Sequence, residues 1–312
     1  MSRLAITGAN GFVARHLTTL AAAQGVEVVG LVRSEAAAET VRRAGGRPVL
    51  VPALEPETLV LAFSGATAVV HLAQIGAERD GATYEAVNVA GTRAVAVAAA
   101  VARVPRVAFL SGLGVARFGQ SRRCTNRYFL SKLTAEVELY RSGLQVAVFR
   151  PSYVVGPGNA FIPSLLAEIE AGEVEVVGDG SHRMQPVAVK DAVAAILEAA
   201  LGPARDRFRV LDLVGPEPVS YRTLLDRLAA RLRAHDRRAD FRVREVPVEE
   251  AERRAATAGY RGMGADELDC LLCDEIADPR PLEALLGRFL TPLDEALDLA
   301  LRAALAARRD PQ

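Results

Sequence analysis

Tyr128 and Lys132 carry a phenol and an ammonium four residues apart, in the run Tyr128-Phe129-Leu130-Ser131-Lys132. In a helix this spacing places both side chains on one face. An adjacent ammonium favours the phenolate and lowers the pKa of a tyrosine, which starts at about 10, toward the range in which it exchanges protons. We therefore predict that Tyr128 exchanges a proton with a substrate oxygen. The alternative is an aromatic core residue beside a surface lysine.

Lysine is rare in this chain. Of its 38 basic residues, Lys132 and Lys190 are the two lysines and the others are arginines. Arginine cannot replace lysine where a compact ammonium is needed. The retention of a lysine at position 132 therefore favours a chemical role for it.

A glycine-containing turn follows the first predicted strand, in the run Gly8-Ala9-Asn10-Gly11. Gly8 permits a tight turn, and Gly11 allows the backbone to approach a pyrophosphate at the N-terminus of the helix that follows. Ala14 stands at the third position of the spacing, where glycine is usual and where packing of helix on strand matters most. The turn predicts a dinucleotide site, and the alternative is a plain turn between a strand and a helix.

The second predicted strand ends in Val32-Arg33-Ser34. An acidic residue here would accept hydrogen bonds from the ribose 2′-hydroxyl of NAD, whereas an arginine beside a hydroxyl suits a 2′-phosphate. We therefore predict NADP(H) in preference to NAD(H). The alternative is a solvated arginine in an arginine-rich protein.

Up to about residue 150, short β-branched runs alternate with longer segments rich in Ala and Leu. This alternation is typical of βαβ units around a parallel sheet. We predict strands near 3–7, 26–32, 47–51, 67–71, 105–110 and 144–149, and helices near 11–24, 35–44, 56–63, 81–102 and 126–142.

Turn residues interrupt this pattern after Arg150, and a further strand at Phe208–Leu213 is predicted to return to the main sheet. Residues 215–307 are predicted to form mostly charged amphipathic helices. We predict two interleaved lobes. The dinucleotide-binding lobe spans 1–155 with return segments at about 186–214, and the smaller substrate-binding lobe spans 156–185 and 215–312.

The composition narrows the class of partner. The 312-residue chain balances 38 basic against 38 acidic residues without a run of five basic residues, which argues against nucleic acid and favours a small-molecule substrate.

Polar residues interrupt the longest charge-free stretch, 58–77, so we predict no membrane span. The N-terminus lacks the apolar core of a signal peptide, and three cysteines are too few for a disulfide framework, so we predict a cytoplasmic location.

Cys270 and Cys273 have the spacing of a metal knuckle. A second such pair is missing and the four histidines are scattered, so we predict that these thiols pack in the protein and that it has no metal site.

Short motifs over the first 200 residues resemble the short-chain dehydrogenase/reductase superfamily, in the extended or atypical branch that includes nucleotide-sugar epimerases and dehydratases. The matching motifs are Thr7-Gly8-x-x-Gly11, His71-Leu72-Ala73, Asn88-Val89-Ala90-Gly91-Thr92, Tyr128-x-x-x-Lys132, Arg150-Pro151-Ser152-x-x-x-Gly156-Pro157-Gly158, Gly178-Asp179-Gly180-x-x-Arg183 and Val187-x-Val189-Lys190-Asp191-Ala192. Within that branch, Arg183-Met184-Gln185-Pro186-Val187 resembles the group of the nucleotide-binding accessory subunit of respiratory complex I.

The resemblance implies a Rossmann-type doubly wound parallel sheet with a smaller mixed C-terminal lobe. It also implies an NAD(P)-dependent oxidoreductase that transfers hydride to or from a carbonyl or alcohol, with Tyr128 as acid or base and Lys132 as its activator and ribose ligand. The predicted cofactor-binding residues are Gly8, Asn10, Gly11, Phe12, Val13, Arg33, His71, Leu72, Ala73, Asn88, Tyr128, Lys132, Pro151 and Ser152. Tyr153 and Arg183 are predicted to contact substrate, with core packing and a salt bridge as their respective alternatives. Relatives often pair through their fourth and fifth helices, which makes a homodimer an expectation.

One position departs from the family pattern. The Ser or Thr that polarises the substrate oxygen is replaced by Leu113, in the run Ser111-Gly112-Leu113. Ser111 is predicted to substitute as a catalytic residue if the loop shifts, and Thr125 is a second candidate. Loss of one such donor costs on the order of 10²–10³ in rate.

This departure leaves two other functions open. One is a nucleotide-binding structural or assembly protein that holds NADP(H) without turnover, and the other is a nucleotide-sugar 4-epimerase or dehydratase.

Overall fold

A computed structural model describes residues 2–203, 206–257 and 259–309 of the chain. The strands are β1 (Arg3–Thr7), β2 (Glu27–Val32), β3 (Arg47–Leu50), β4 (Ala68–His71), β5 (Arg106–Leu110), β6 (Gln145–Pro151), β7 (Val154–Val155), β8 (Glu173–Val177), β9 (Arg183–Met184), β10 (Val187–Ala188), β11 (Phe208–Leu213), β12 (Val219–Ser220) and β13 (Arg242–Val246). The α-helices are α1 (Phe12–Ala23), α2 (Glu35–Arg43), α3 (Pro56–Phe63), α4 (Gly91–Val101), α5 (Arg127–Arg141), α6 (Phe161–Ala171), α7 (Val189–Leu201), α8 (Tyr221–Ala234), α9 (Val248–Thr257), α10 (Ala265–Leu272), α11 (Arg280–Leu286) and α12 (Leu293–Arg309). A π-helical segment (Glu85–Ala90) and two 3₁₀ helices (Leu113–Arg117, Arg122–Thr125) complete the elements.

The chain forms two compact units. The first contains the chain up to Pro151 together with Lys190–Leu213 and Arg280–Arg288, and the second contains Ser152–Val189, Val214–Pro279 and the chain from Phe289 onward. Arg280–Arg288 belongs to the first unit, whereas the lobe boundaries predicted from the sequence place it in the smaller lobe.

The first unit is built on a seven-stranded parallel sheet in the order β11-β6-β5-β4-β1-β2-β3. Strand β1 lies inside the sheet between β4 and β2, and its Leu4, Ala5 and Ile6 are fully buried, as expected of a parallel strand covered by helices on both faces. The predicted doubly wound Rossmann-type sheet is confirmed. Its parallel strands bring the loops after β1, β4, β5 and β6 to one edge.

The predicted helix at 81–102 begins later than expected. Asp80 and Gly81 both have positive φ, of 52° and 78°, which a right-handed helix cannot contain. The chain becomes helical at Glu85, and the π-helical segment Glu85–Ala90 precedes α4. Single π turns inside helices are frequent at functional sites.

The second unit has short strand pairs and helices around its own core. β10 pairs with β7, β12 with β9 and β13 with β8. The core is formed by aliphatic residues of α6, α8 and α12, such as Leu166, Leu228 and Leu297.

Within the region 215–307, predicted to be mostly helical, Arg242–Val246 forms the strand β13 in parallel with β8. The charged residues of this segment are typical of an amphipathic helix. In the structure they pair across strands, since Arg244 forms an ion pair with Glu173 on β8, 3.1 Å apart. Val243 and Val246 are three residues apart, so this five-residue segment lacks the period-two alternation that indicates a strand. Across the described ranges, every helix is too short or too polar to cross a bilayer.

Candidate active site

The turn after β1 requires glycine at its first position. Gly8 has a φ of 65°, and a Cβ placed there would lie 2.8 Å from backbone atoms of Ala73. At Gly11 a Cβ would lie 3.2 Å from the Gly8 carbonyl oxygen. The two glycines therefore leave a backbone cradle that side chains would fill.

Helix α1 opens directly from this cradle. Its N-cap is Gly11, which has no side chain to accept from the first-turn amides. The N–H groups of Phe12 and Val13, at the positive end of the helix dipole, are thus left for a ligand. Ala14 is fully buried, so the methyl group in the third position of the spacing fits the packing of the helix on the sheet.

A cavity of about 500 Å³ lies against the cradle, within the first unit. It is lined by predicted residues of three loops and by further residues after β3, after β4 and on the π-helical segment. The lining residues are Gly8, Asn10, Gly11, Leu31, Val32, Arg33, Val51, Pro52, Ala53, Leu54, Leu72, Ala73, Gln74, Ile75, Ala86, Val87, Ala90 and Gly91. Its size, mostly apolar lining and glycine floor fit the nucleotide end of a dinucleotide.

Arg33 lines this cavity at the end of β2, and its side chain is exposed. Within the described ranges it makes no hydrogen bond or ion pair. The neighbouring Ser34 is the N-cap of α2 and accepts from the amide of Ala37, 3.3 Å away. A free guanidinium therefore stands beside a second helix N-terminus.

His71 lies at the end of β4 with 1% exposure, between two threonines. Its Nδ1 is 2.7 Å from the Thr7 hydroxyl and its Nε2 is 3.0 Å from the Thr92 hydroxyl. The Thr92 hydroxyl donates its proton to the Asn88 carbonyl, 2.5 Å away, so it must accept from His71 Nε2–H. Nδ1 then carries the lone pair and accepts from Thr7.

The Thr7 hydroxyl in turn accepts from the amides of Leu72 and Ala73, each 3.2 Å away. Burial, and secondarily the charge of Lys132, lower the pKa of His71 from 6.5 to about 3. The neutral ring therefore ties the end of β1 to the end of β4. His71 was predicted along the cofactor, and it acts here through the loop that carries Leu72 and Ala73.

Asn88 is buried and uses its amide to shape the same edge. Its Oδ1 accepts from the Ile75 amide at 2.9 Å, and its Nδ2 donates to the Ile75 carbonyl and to the Ser131 hydroxyl, both at 3.0 Å. The Ser131 hydroxyl donates to the Tyr128 carbonyl at 2.7 Å. Asn88 therefore joins the loop after β4 to the helix that carries Tyr128.

Helix α5 begins at Arg127 because the Asn126 side chain accepts from the amide of Phe129, 2.9 Å away. This cap places Tyr128 in the first turn, where the helix dipole favours a negative oxygen. Tyr128 is half-buried, and its ring lies 5.9 Å from that of Tyr84.

Lys132, one turn further along α5, is fully buried. Its Nζ donates to the Leu110 carbonyl at 2.6 Å and to Gln74 Oε1, and it lies 4.4 Å from the centre of the Phe109 ring. Burial lowers the pKa of Lys132 from 10.5 to about 7, against the opposing effect of Glu136. The ammonium is held by the end of β5 on the same helix face as Tyr128.

The hydroxyls predicted to replace the missing family donor are engaged elsewhere. Ser111 is 1% exposed and donates to Glu136 Oε1 at 2.5 Å, so its proton is committed to a carboxylate inside the first unit. Thr125 donates to the Ser121 carbonyl at 2.8 Å. Leu113 is buried. The prediction that Ser111 serves as a catalytic hydroxyl therefore disagrees with this geometry.

Phe129 explains the unusual glycines of the loop after β5. Its ring is buried against Gly112 and Gly114, and a Cβ on Gly114 would overlap the ring. The loop can therefore approach α5 only where side chains are absent.

The residues predicted after β6 fall in different places. Pro151 ends β6 in the first unit. In the second unit, the Ser152 hydroxyl accepts from the Gln185 amide at 3.2 Å, and Tyr153 packs on Phe161 with ring centres 5.0 Å apart. Burial, followed by the charge of Glu275, raises the pKa of Tyr153 well above 10, so it stays a neutral phenol.

Arg183 does not hold a free guanidinium for a substrate diphosphate. Its Nη2 lies 2.8 Å from Oδ2 of Asp274, and its amide donates to Oδ1 of the same carboxylate. This geometry is the salt-bridge alternative given in the sequence analysis, and contact of Arg183 with substrate stays a prediction.

Two residues of this region, Gln74 and Glu136, were missed from the sequence. A signal for Glu136 existed, since it continues the face of Tyr128 and Lys132 by another four residues. Gln74 follows the His71-Leu72-Ala73 motif directly, at the sheet edge where ligands bind.

Comparison with known proteins now assigns the class. The family model of the NAD dependent epimerase/dehydratase family matches residues 4–210, and the chain belongs to this family. It is an NAD(P)-dependent oxidoreductase or epimerase, and the superfamily predicted from its motifs is confirmed. The closer likeness to the complex I accessory subunit stays a prediction.

Two relatives and one solved structure illustrate the proteins to which the chain is similar. The chain is 29% identical over 240 residues to the 4-hydroxy-2-methyl-3-oxo-4-farnesyl-3,4-dihydroquinoline-1-oxide ketoreductase of Stigmatella aurantiaca, covering 72% of each chain. It is 25% identical over 249 residues to the 2-alkyl-3-oxoalkanoate reductase of Stenotrophomonas maltophilia (strain K279a), covering 73% of this chain and 75% of that one. MoeE5 in complex with UDP-glucose and NAD has a TM-score of 0.76 at 22% identity, covering 98% of this chain and 100% of that one.

Proposed function

We propose that this protein is an NADPH-dependent ketoreductase in which Tyr128 protonates the oxygen of a small-molecule ketone. The observation that carries the proposal is the buried ammonium of Lys132, held by the Leu110 carbonyl one helical turn from Tyr128. The names of two relatives describe reduction of a ketone flanked by an alkyl-bearing carbon, which favours this substrate class.

The residues of the first unit fit a nicotinamide dinucleotide. The Gly8 and Gly11 cradle and the uncapped first turn of α1 would hold the pyrophosphate, and the cavity wall would hold the adenosine. When bound, the nicotinamide supplies hydride to the carbonyl carbon.

The chain's own residues then handle the proton. Tyr128 donates its phenolic proton to the developing alkoxide, and the nearby ammonium of Lys132 and the N-terminus of α5 stabilise the phenolate that remains. Since Leu113 cannot donate and Ser111 is bound to Glu136, Tyr128 carries the polarisation of the substrate oxygen without a hydroxyl partner.

The test follows oxidation of NADPH with ethyl 2-methyl-3-oxobutanoate, a 2-alkyl-3-oxo ester, and with a dTDP-4-keto-6-deoxy sugar as a second probe. We expect turnover of the ester, and we expect Tyr128→Phe to lose about 10²–10⁴-fold in kcat with NADPH affinity retained. Equal turnover by Tyr128→Phe would contradict the mechanism.

Two other outcomes identify the alternatives. Tightly retained nucleotide with no turnover of either probe favours the structural or assembly protein, which the commitment of Ser111 also supports. Interconversion of nucleotide-sugar epimers without net consumption of NADPH favours the 4-epimerase.

We propose that Arg33 selects NADP(H) by pairing with the 2′-phosphate, because its exposed guanidinium lines the cavity at the end of β2. Arg33→Ala is expected to weaken NADPH binding by about 10–100-fold and to leave NADH binding unchanged, as measured by calorimetry. Arg43→Ala, which removes an arginine paired with Glu39 on the nearby helix α2, is the control. Equal losses for both coenzymes would show that Arg33 does not read the phosphate.

We also propose that a second copy of the chain covers the outward faces of α4 and α5. Val101 of α4 and Tyr140 of α5 are 63% and 56% exposed, and apolar side chains that form an exposed patch mark interaction surfaces. A two-fold axis brings such a patch onto itself, so apolar meets apolar.

A further inference from the structure

Glu136 lies on α5 one turn beyond Lys132 and two turns beyond Tyr128. It is 4% exposed, and the proposed proton transfer gives it no part. A carboxylate at such depth is costly unless it is paired and hydrogen-bonded. Its partners therefore indicate what it does.

Three hydrogen bonds hold the Glu136 carboxylate to the ends of two strands. Ser111, directly after β5, donates to Oε1 at 2.5 Å. Arg150, in β6, donates from Nε to Oε1 at 3.0 Å and from Nη2 to Oε2 at 2.7 Å. This forked geometry fixes the rotation of α5 relative to β5 and β6.

The same carboxylate is the electrostatic neighbour of Lys132. The groups that face the Lys132 ammonium are the neutral His71 ring, the Gln74 amide, the Leu110 carbonyl and the Phe109 ring from other elements. From its own helix, Tyr128 and Glu136 share its face. Among these described groups, Glu136 is the one that offers a full negative charge.

We infer that Glu136 is a positioning residue for the Tyr128–Lys132 pair: it anchors their helix to the ends of β5 and β6 and keeps the buried ammonium charged. The inference rests on the proposed function, since the charge matters when Tyr128 transfers a proton. It also accounts for the inward orientation of Ser111, whose hydroxyl completes the Glu136 site.

The pair of lysines makes the inference directly measurable. In cofactor-free protein labelled with ¹³C-lysine, Lys132 and Lys190 give two Cε signals, which Lys190→Arg assigns. Burial lowers the pKa of Lys132 to about 7, so its titration falls within an accessible pH range. The negative charge of Glu136 raises the pKa of Lys132 and so opposes the effect of burial. Glu136→Gln removes this charge and is expected to lower the Lys132 midpoint by about one pH unit.

Matched variants separate charge from fold. Glu136→Asp keeps the charge and is expected to restore most of the midpoint. Glu138→Gln removes a carboxylate of the same helix that pairs with Arg93, and it should leave the midpoint unchanged. If Glu136→Gln fails to fold, Glu136→Gln/Arg150→Met removes the pair without leaving an unpaired charge, and the same downward shift is expected.

A folded variant without Glu136 whose Lys132 midpoint equals that of the wild type would overturn the inference. In turnover assays, the fall in rate as pH rises through the Lys132 midpoint should also begin about one unit lower in Glu136→Gln. A uniform loss of rate at every pH would mark a purely structural role. Loss of turnover in Tyr128→Phe tests the proposed function separately, since the lysine titration needs neither substrate nor coenzyme.

Discussion

The ring of His71 stays neutral because it is buried and lies near the charge of Lys132, and its two nitrogens bind Thr7 and Thr92. The pKa is about 3 in the folded protein and about 6.5 when unfolded, so the unfolded chain binds a proton that the native chain refuses. The stabilisation is therefore complete above pH 6.5 and is lost as pH falls from 6.5 toward 3. At pH 5 the loss amounts to about 2 kcal/mol.

We predict that His71→Asn, which cannot titrate, is less stable than the wild type at pH 7 but loses about 2 kcal/mol less between pH 7 and pH 5. Urea unfolding at both pH values measures this difference. His235→Asn, which removes an exposed imidazole after α8, serves as the control and should retain the slope of the wild type. An unchanged slope in His71→Asn would refute the neutral-ring assignment.

The loop after β5 packs closely on helix α5 because two glycines of the loop, Gly112 and Gly114, face the aromatic ring of Phe129 on the helix. Gly114→Ala would push a methyl group into the ring of Phe129, and overpacking of this kind costs about 1–3 kcal/mol. Phe129→Leu replaces the ring with a smaller side chain and makes room for the methyl group. The free energy of unfolding of Gly114→Ala/Phe129→Leu is therefore expected to fall by less than the sum of the two single losses, by at least about 0.5 kcal/mol. Chemical unfolding of the four proteins tests this. Gly76→Ala, where nothing lies within 4 Å of the added methyl, is the control; strict additivity would mean that the ring and the loop are not in contact.

The contrast between these elements explains what the sequence could predict. Gly8 and Gly11, and Tyr128 and Lys132, are recognisable because their roles depend on spacing within one turn or one helix, and the alternation of strands and helices fixes the sheet edge where they meet. The partners of Ser111 and Arg183 could not be predicted, because Glu136 and Asp274 lie 25 and 91 residues away along the chain. A hydroxyl or guanidinium pairs with the carboxylate that the tertiary fold places beside it, and a local sequence pattern does not show which carboxylate that is.

At the scale of the whole molecule, the outward faces of α4 and α5 predict self-association. The ion pair between Arg93 and Glu138 joins the two helices, and Val101 of α4 and Val137 of α5 are exposed. A second copy related by a two-fold axis would bury this patch, and an exposed apolar patch gains about 25 cal/mol per Å² on burial. We therefore expect light scattering to give twice the 33.2 kDa chain mass at micromolar concentration.

Val101→Glu/Val137→Glu should convert that species to a monomer with unchanged NADPH binding, because the charges would be buried at the interface while the cavity lies at the sheet edge. Leu61→Glu provides the matched control, since Leu61 of α3 is 80% exposed outside this patch and should leave the mass unchanged. Both introduced charges are negative, so they repel whether the two-fold axis pairs α4 with α4 or α4 with α5 of the other copy. A wild-type mass of a single chain, or a dimer that survives both charges, would place any association on another surface.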